Sequence, residues 1–137
     1  MVTLVESIKK HEGFRSKPYP DPIHGWDVPT FGIGFTYITE EEADYILTNR
    51  IKSITKELES RIPFFSSLPQ DIQEVLIEMS FQLGVAGTLR FKNMLKALES
   101  NNYAKAAEEM LDSKWARQTP VRVNNLASKV RNAKFNR

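Results

Sequence analysis

The spacing of hydrophobic residues along the chain indicates where it is helical and where it is not. Near the start, apolar residues recur every three or four positions until Gly13, and Thr3 with Glu6 has the spacing of a capping box, so a short helix is predicted over residues 3–12. Residues 14–35 are instead rich in proline, glycine and β-forming residues, which is typical of a short hairpin with an irregular turn. This is the only convincing β pattern in the sequence.

The remaining sequence has helical periodicity. A second capping box, Thr39 with Glu42, opens an apolar stripe that ends before Pro63. It predicts an amphipathic helix of about 23 residues, a rod on the order of 34 Å long. Shorter helical patterns follow, over residues 67–83, 91–98, 106–111 and 119–130, and Gly84 predicts a tight connection after the first of them. We therefore expect one α+β domain over residues 1–137. Its predicted parts are a β-containing lobe (residues 13–38), a helical lobe (residues 1–12 and 63–137) and a long connecting helix (residues 39–62).

Composition excludes several classes of protein. The chain has 137 residues, 41% of them hydrophobic, which suffices for one domain with its own core. It has no cysteine, so disulfides, thiol nucleophiles and thiolate metal sites are excluded. Its two histidines, His11 and His24, are thirteen positions apart without a metal-binding motif, so we expect no metal and no cofactor. No stretch approaches eighteen consecutive apolar residues, and the first residues lack the apolar core of a signal peptide, so we expect no membrane insertion.

The net charge of +2 is unevenly distributed along the chain. After Asp112 the sequence contains no acidic residue and seven basic ones: Lys114, Arg117, Arg122, Lys129, Arg131, Lys134 and Arg137. Such a segment favours an anionic partner, for example a nucleic acid, lipid headgroups or an anionic cell-wall polymer. A solvated helix face would give the same pattern, so the charge alone leaves both interpretations open.

The motifs that the sequence lacks narrow its chemistry. It has no GxSxG nucleophile elbow, no phosphate-binding loop and no complete GxGxxG motif. An enzyme built from this sequence would therefore use carboxylates as acid and base. Glycoside cleavage is the reaction class that needs little else.

Glu12 is the most informative carboxylate in the sequence. It continues the apolar stripe of the first helix and lies at the C-terminal end of that helix. An apolar setting and the negative end of the helix dipole both favour a carboxyl group that keeps its proton and can donate it to a leaving oxygen. A structural carboxylate paired with Arg15 or with a C-terminal arginine is the alternative. Asp21, in a proline-flanked turn, and Thr30, in a predicted strand, carry no distinctive signal of their own.

Taken together, the segments HEGFRSKPYPD, PTFGIGF and ITEEEA resemble the phage-type lysozymes, the endolysin family of T-even and lambdoid-like phages (glycoside hydrolase family 24). Further along, SFQLGVAGTLRFKNML and SKWARQTPVR resemble the helical lobe of the same family. The resemblance covers nearly the whole chain, with its segments in the family's order. It implies a mostly helical lysozyme-like fold.

The resemblance also implies roles for three residues. The family motif is a glutamate, eight intervening residues, an aspartate, and a threonine just before a G-x-G strand, and Glu12 and Asp21 have that eight-residue gap. By this resemblance Glu12 is the general acid on the glycosidic oxygen, while Asp21 and Thr30 position or activate a water on the opposite face of the sugar. The family inverts anomeric configuration, which requires carboxyl groups roughly 6.5 to 9.5 Å apart.

Five further residues are implied as substrate contacts. Phe81 offers an apolar face to a sugar ring, and Gln82 offers an amide to an N-acetyl or peptide group. Helix packing or a solvated surface is the alternative role for every member of the set. The set consists of Phe81, Gln82, Thr36, Met94 and Glu109.

The chain departs from the family pattern in its β region. The turn between Asp21 and Thr30 holds eight residues, more than is usual in the family, and Phe35 follows the G-x-G motif where a histidine is common. Trp26, in the enlarged turn, is expected to be a hydrophobic plug, with a sugar-stacking surface as the alternative. In the helical lobe, the segment WARQTPVR is expected to pack the lobe and hold it against the first helix, with Arg122 a candidate partner for an acid of the other lobe.

The resemblance implies a muramidase that cleaves the β-1,4 bond between N-acetylmuramic acid and N-acetylglucosamine. Its partner would be bacterial peptidoglycan, with no nucleic acid, no membrane insertion and no cofactor, and the protein would be a monomer. It would wait in the host cytoplasm until a holin opens the membrane. Two alternatives stay open: a non-enzymatic basic helical protein that binds nucleic acid, and a carboxylate glycosidase that acts on chitin.

Overall fold

The computed structural model describes residues 3–134, which form seven α-helices, a two-stranded antiparallel sheet and one turn of 3-10 helix at Phe65–Ser67. This confirms the predicted α+β class. The elements are α1 (Leu4–Glu12), β1 (Arg15–Asp21), β2 (Gly25–Gly32), α2 (Glu40–Arg61), α3 (Gln70–Leu89), α4 (Lys92–Glu99), α5 (Tyr103–Leu111), α6 (Lys114–Gln118) and α7 (Pro120–Arg131).

The contacts of the chain divide it into two compact units, Met1–Ile46 and Leu47–Arg137. The boundary falls inside α2, and α1 belongs to the same unit as the hairpin. The predicted assignment of residues 1–12 to the helical lobe differs from this division, and the three predicted parts stay a prediction.

The first unit consists of α1, the hairpin and the first turns of α2. The capping box of α1 is present: the Thr3 hydroxyl accepts the Glu6 N–H at 3.1 Å, and the Glu6 carboxylate accepts the Thr3 N–H at 3.2 Å. Gly13, at φ +74°, ends α1 and donates its N–H to the carbonyl of Lys9. The predicted apolar face of α1 is exposed, because the elements of this unit do not cover it.

The predicted hairpin is present, and its strands pair with an irregular register. Tyr19 pairs with Thr30 and Asp21 pairs with Gly25, with a register shift on either side of the Tyr19 position. The connection between the strands is a three-residue turn over residues 22–24. Most of the eight residues between Asp21 and Thr30 therefore extend β2 and do not enlarge a loop.

The second unit contains the hydrophobic core of the described chain. Helix α5 packs on α4, α6 and α7, and α7 packs on α3 as well. The largest fully buried side chains include Phe65, in the 3-10 turn that no predicted stripe covers. The others belong to the stripes that the sequence pattern indicates, and they are Leu58, Ile72, Leu76, Met79, Met94, Leu98 and Met110. Among the described residues, no helix is both long and apolar enough to cross a membrane.

Helix α3 is interrupted at Gly84, which has φ +79°. The sequence predicts a tight connection there, but the helix resumes directly at Val85. The break is stabilised by Thr88, whose hydroxyl donates to the Gly84 carbonyl at 3.3 Å and lies 2.8 Å from the buried hydroxyl of Ser80. Phe81 and Gln82 consequently lie at the end of the first segment of α3.

Candidate active site

Glu12 occupies the last turn of α1, and its exposed side chain lies against the loop that follows β2. The carboxyl group contacts the backbone of Gly34 so closely that a methyl group on Gly34 would come within 2.8 Å of Cδ and 3.2 Å of Cγ, and closer still to Oε2. Within the described residues of the first unit Glu12 forms no ion pair, and the Arg15 guanidinium instead lies over the Tyr19 ring, 5.4 Å from its centroid. The predicted alternative, a structural pair of Glu12 with Arg15, is therefore wrong.

Asp21 ends β1 and forms the turn that follows. Its Oδ2 accepts the backbone N–H groups of Ile23 and His24, both at 2.9 Å. The hydrogen bond from His24, followed by that from Ile23, lowers the pKa of the Asp21 carboxyl below its ordinary value of 3.8. Oδ1 has no hydrogen-bond partner among the described residues. Asp21 is thus a turn-former, as its position predicts, with one oxygen still available.

Thr30 is the buried polar residue of the hairpin. It lies opposite Tyr19, with 5% of its surface exposed, and its hydroxyl donates to the backbone carbonyl of Val28 at 3.3 Å. Thr36 is exposed just beyond the loop. The first unit thus contains the three predicted catalytic residues together with Thr36.

The other predicted substrate contacts belong to the second unit. Phe81 is 45% exposed and keeps an apolar face free. The amide oxygen of Gln82 accepts a hydrogen bond from the indole N–H of Trp115 at 2.9 Å, which fixes the amide and leaves its NH2 group to donate. Trp115 is buried and meets Phe91 edge to face at 5.9 Å. Trp115 therefore packs this unit, as predicted.

Two predicted substrate contacts have structural partners in the second unit. Met94 is only 1% exposed and lies in the core, so its side chain cannot touch a sugar unless the core opens, and this corrects the expectation for Met94. The Glu109 carboxylate is partly exposed and pairs with the Lys105 ammonium at 3.2 Å, one turn earlier on α5. A ligand could still reach the Glu109 carboxylate if the ion pair with Lys105 were broken.

Two of the basic residues near the C-terminus form ion pairs within the second unit. The Arg122 guanidinium donates to Glu78 at 2.8 Å, and the Lys129 ammonium donates to Glu74 at 3.0 Å, so both residues join α7 to α3. The expectation that Arg122 pairs with an acid of the other lobe stays a prediction. Of the seven basic residues, Arg137 lies outside the described residues.

Trp26 is 64% exposed, so the plug predicted for it is wrong. The contact that sequence reasoning missed is the one between Gly34 and Glu12. The G-x-G motif was visible in the sequence as a turn signal, but nothing in the sequence indicates which side chain the turn approaches. In the part of the chain that the structure describes, no group of three or more histidine, aspartate or glutamate side chains could hold a metal ion.

Comparison with known proteins gives the family of the chain. The family model described as phage lysozyme matches residues 9–133. A probable T4-type lysozyme 1 of Dictyostelium discoideum is 34% identical over 103 residues, which cover 72% of this chain and 60% of the relative. The pre-baseplate central spike protein Gp5 of Enterobacteria phage T4 is 25% identical over an alignment of 160 positions, which covers 91% of this chain and 27% of the relative.

The chain therefore spans less than two thirds of the length of these curated relatives. A probable T4-type lysozyme 2 of Dictyostelium discoideum, 36% identical over 64 residues, covers a still shorter stretch of this chain, 47%. The family match spans residues 9–133, which include Glu12, Asp21 and Thr30, and it confirms the predicted family. The chain belongs to the phage lysozyme family.

Proposed function

We propose that this protein is a lysozyme that hydrolyses the β-1,4 bond between N-acetylmuramic acid and N-acetylglucosamine within peptidoglycan strands. The observation that carries the proposal is the pair of carboxylates in the first unit: Glu12 at the end of α1 and Asp21 at the end of β1, with the family's eight-residue gap. Membership of the phage lysozyme family supports the substrate class.

The proposed reaction is a single displacement. The Glu12 carboxylic acid donates its proton to the glycosidic oxygen as the bond between that oxygen and the anomeric carbon breaks. A water molecule attacks the anomeric carbon from the opposite face and loses a proton to Oδ1 of Asp21. Thr30 orients that water. The configuration at the anomeric carbon is inverted.

The turn explains what Asp21 can contribute to this reaction. The two backbone N–H groups hold Oδ2 in place, and they favour the ionised carboxyl group, which lowers the pKa of Asp21. A fixed negative charge stabilises the positive charge that develops on the sugar ring in an oxocarbenium-like transition state. Asp21 therefore acts by placing a charge and a water molecule, more than by its strength as a base.

The direct test is the substitution Glu12→Gln. The amide keeps the shape of the side chain but cannot donate the acid proton, so we expect a folded protein that binds cell walls and has lost at least about 100-fold in activity. Turbidity of outer-membrane-permeabilised Gram-negative cells measures lysis, and Glu41→Gln, an exposed acid in the first turn of α2, is the matched control. Substantial lysis by Glu12→Gln would refute the role of the acid.

The stereochemistry tests the displacement step separately. Proton NMR of freshly released product should show the α-anomer first, because one displacement at a β-linked carbon inverts it. A β-anomer at the earliest time points would indicate a covalent or substrate-assisted route.

Substrate choice separates this proposal from a related one. A chitin-directed glycosidase would need the same two carboxylates, so product release from purified peptidoglycan is to be compared with release from chitin oligosaccharides. We further propose that the protein acts as a monomer, released from the host cytoplasm when a holin opens the membrane. Lysis of expressing cells that depends on a co-expressed holin would support this route.

A further inference from the structure

The loop that follows β2 is closed by a clamp of two phenylalanines. Phe31 and Phe35 exchange reciprocal backbone hydrogen bonds, each 2.8 Å long, and their rings meet edge to face with centroids 6.1 Å apart. Only residues 32–34 lie between them. Two of these are glycines with positive φ, Gly32 at +60° and Gly34 at +71°. The clamp therefore fixes where the backbone of Gly34 lies.

Gly34 and the carboxyl group of Glu12 are in direct contact. The space that a Cβ on Gly34 would need is occupied by Oε2, Cδ and Cγ of Glu12. Other positive-φ glycines are different: Gly13, Gly25 and Gly84 have nothing within 4 Å of the corresponding position. A side chain at position 34 would therefore meet the Glu12 carboxyl group in addition to the strain of a positive φ, which all of these glycines share.

We infer that Gly34 is a positioning residue for Glu12, an inference that rests on the proposed function. Within the described residues of the first unit, 3–46, no hydrogen bond or ion pair restrains the exposed Glu12 side chain, so in this unit the contact with the clamped loop is what limits its rotamers. A glutamate side chain is otherwise free to occupy several staggered rotamers. The bare backbone of Gly34 acts as a fixed surface against which the acid rests, aimed at the glycosidic oxygen.

The substitution Gly34→Ala tests this role, and Gly84→Ala is its matched control. Both impose an alanine on a positive φ, at +71° and +79°, but only the first puts a methyl group where the Glu12 carboxyl lies. Misplacing a reacting group by roughly 1 Å can cost on the order of 100-fold in rate. We therefore expect Gly34→Ala to lower kcat roughly 10- to 100-fold more than Gly84→Ala does, with KM changed by less than about twofold.

A rescue experiment separates positioning from a general loss of stability. Asp at position 12 is one methylene shorter and leaves room for the methyl group. The thermal stability lost in Gly34→Ala should therefore be partly regained in the double variant with Glu12→Asp, and the two kcat losses should be less than additive. With Gly84→Ala, the effects of Glu12→Asp on kcat and Tm should simply add. Additive effects in both pairs, or equal kcat losses in the two glycine variants, would overturn the inference.

Side-chain NMR couplings of Glu12 give a readout that does not depend on activity. In the parent protein and in Gly84→Ala they should show one dominant rotamer, and in Gly34→Ala a different or averaged one. Unchanged couplings in Gly34→Ala would overturn the inference. A parent protein that releases no product from peptidoglycan would overturn the proposed function instead, while the couplings would still report whether Gly34 holds the Glu12 side chain.

Discussion

At the scale of single residues, Asp21 combines a structural and a chemical role in one carboxylate. One oxygen closes the turn after β1, and the other is left available at the edge of the hairpin. The role of turn-former, which is usual for an aspartate between prolines, is therefore compatible with a catalytic role for Asp21. The structural role supplies the fixed geometry that the chemical role requires.

The substitution Asp21→Asn separates the two roles. The amide oxygen can still accept both backbone N–H groups, so the turn should persist, but the charge and the proton acceptor are lost. We expect activity on peptidoglycan to fall roughly 100- to 10,000-fold while the circular dichroism spectrum stays unchanged. A variant that keeps most of its activity would show that Asp21 is a turn-former only.

The lowered pKa of Asp21 also predicts how the stability difference between the parent protein and Asp21→Asn changes with pH. Because the folded-state pKa of Asp21 is lowered, ionised Asp21 stabilises the fold above the ordinary value of 3.8, and this contribution is lost as pH falls through the lowered value. The stability difference between parent and Asp21→Asn should therefore shrink as pH falls below about 4. Chemical denaturation across this range measures it, and a difference that grows on acidification would contradict the argument.

At the scale of elements, the capping box predicted for the long helix is formed at the start of α2. The Thr39 N–H donates to the Glu42 carboxylate at 2.9 Å, and the Thr39 hydroxyl accepts the Glu42 N–H at 3.2 Å. The hydrogen bonds from Thr39, the backbone bond first and then the side-chain bond, lower the pKa of Glu42. Negative charge is also favoured there by the N-terminal end of the helix dipole.

Removing this cap should destabilise the protein by a modest amount. Thr39→Ala removes the hydroxyl that accepts a helical N–H, so we expect a loss of about 1 kcal/mol in the free energy of unfolding. Thr55→Ala, in the middle of the same helix, is the control, because its hydroxyl only bonds back to the Ile51 carbonyl and alanine favours helices. Equal losses in both variants would show that the cap contributes nothing.

The helices could be predicted because apolar periodicity and caps are local signals. The predicted helix over residues 39–62 is Glu40–Arg61, and that over residues 119–130 is Pro120–Arg131. The five-residue helix Lys114–Gln118 was not predicted, since so short an element has little periodicity. The break at Gly84 was expected, but a helix continuing directly after it was not, because that depends on the buried Ser80–Thr88 contact.

The candidate site was only partly predictable from the sequence, because local signals do not show which residues meet in the folded chain. Helical periodicity indicated Glu12 and the family resemblance indicated Asp21, whereas the contact of Glu12 with Gly34 depends on where a folded loop lies. For Met94, periodicity placed the residue in an apolar helix stripe and the resemblance placed it at the substrate. Its burial agrees with the periodicity.

At the scale of the whole molecule, stability should be concentrated in the second unit. The hydrophobic residues that are buried among those described lie between Leu58 and Val130, whereas Thr30 is the buried side chain of the hairpin unit. Burial of apolar surface is the main favourable contribution to folding. The two units therefore differ in how much of this contribution they contain.

Hydrogen exchange measures this difference. We expect the slowest backbone amides in α3, α5 and α7, and faster exchange in β1 and β2. Leu76→Ala, which removes a fully buried side chain from α3, should lower the free energy of unfolding by about 2–5 kcal/mol and accelerate exchange throughout the second unit. Hairpin amides that exchange as slowly as those of α3 would contradict this expectation.

The junction between the two units lies within the helix α2, between Ile46 and Leu47. Proteases cut most readily where the backbone is exposed and irregular, as it is in most interdomain linkers. The backbone of a helix is regular, and its N–H and C=O groups are already hydrogen-bonded, so it is not the irregular segment that a protease cuts readily. Limited digestion of the folded protein is therefore a poor route to two separate fragments, and a truncation at this boundary would leave two cut helix ends without caps.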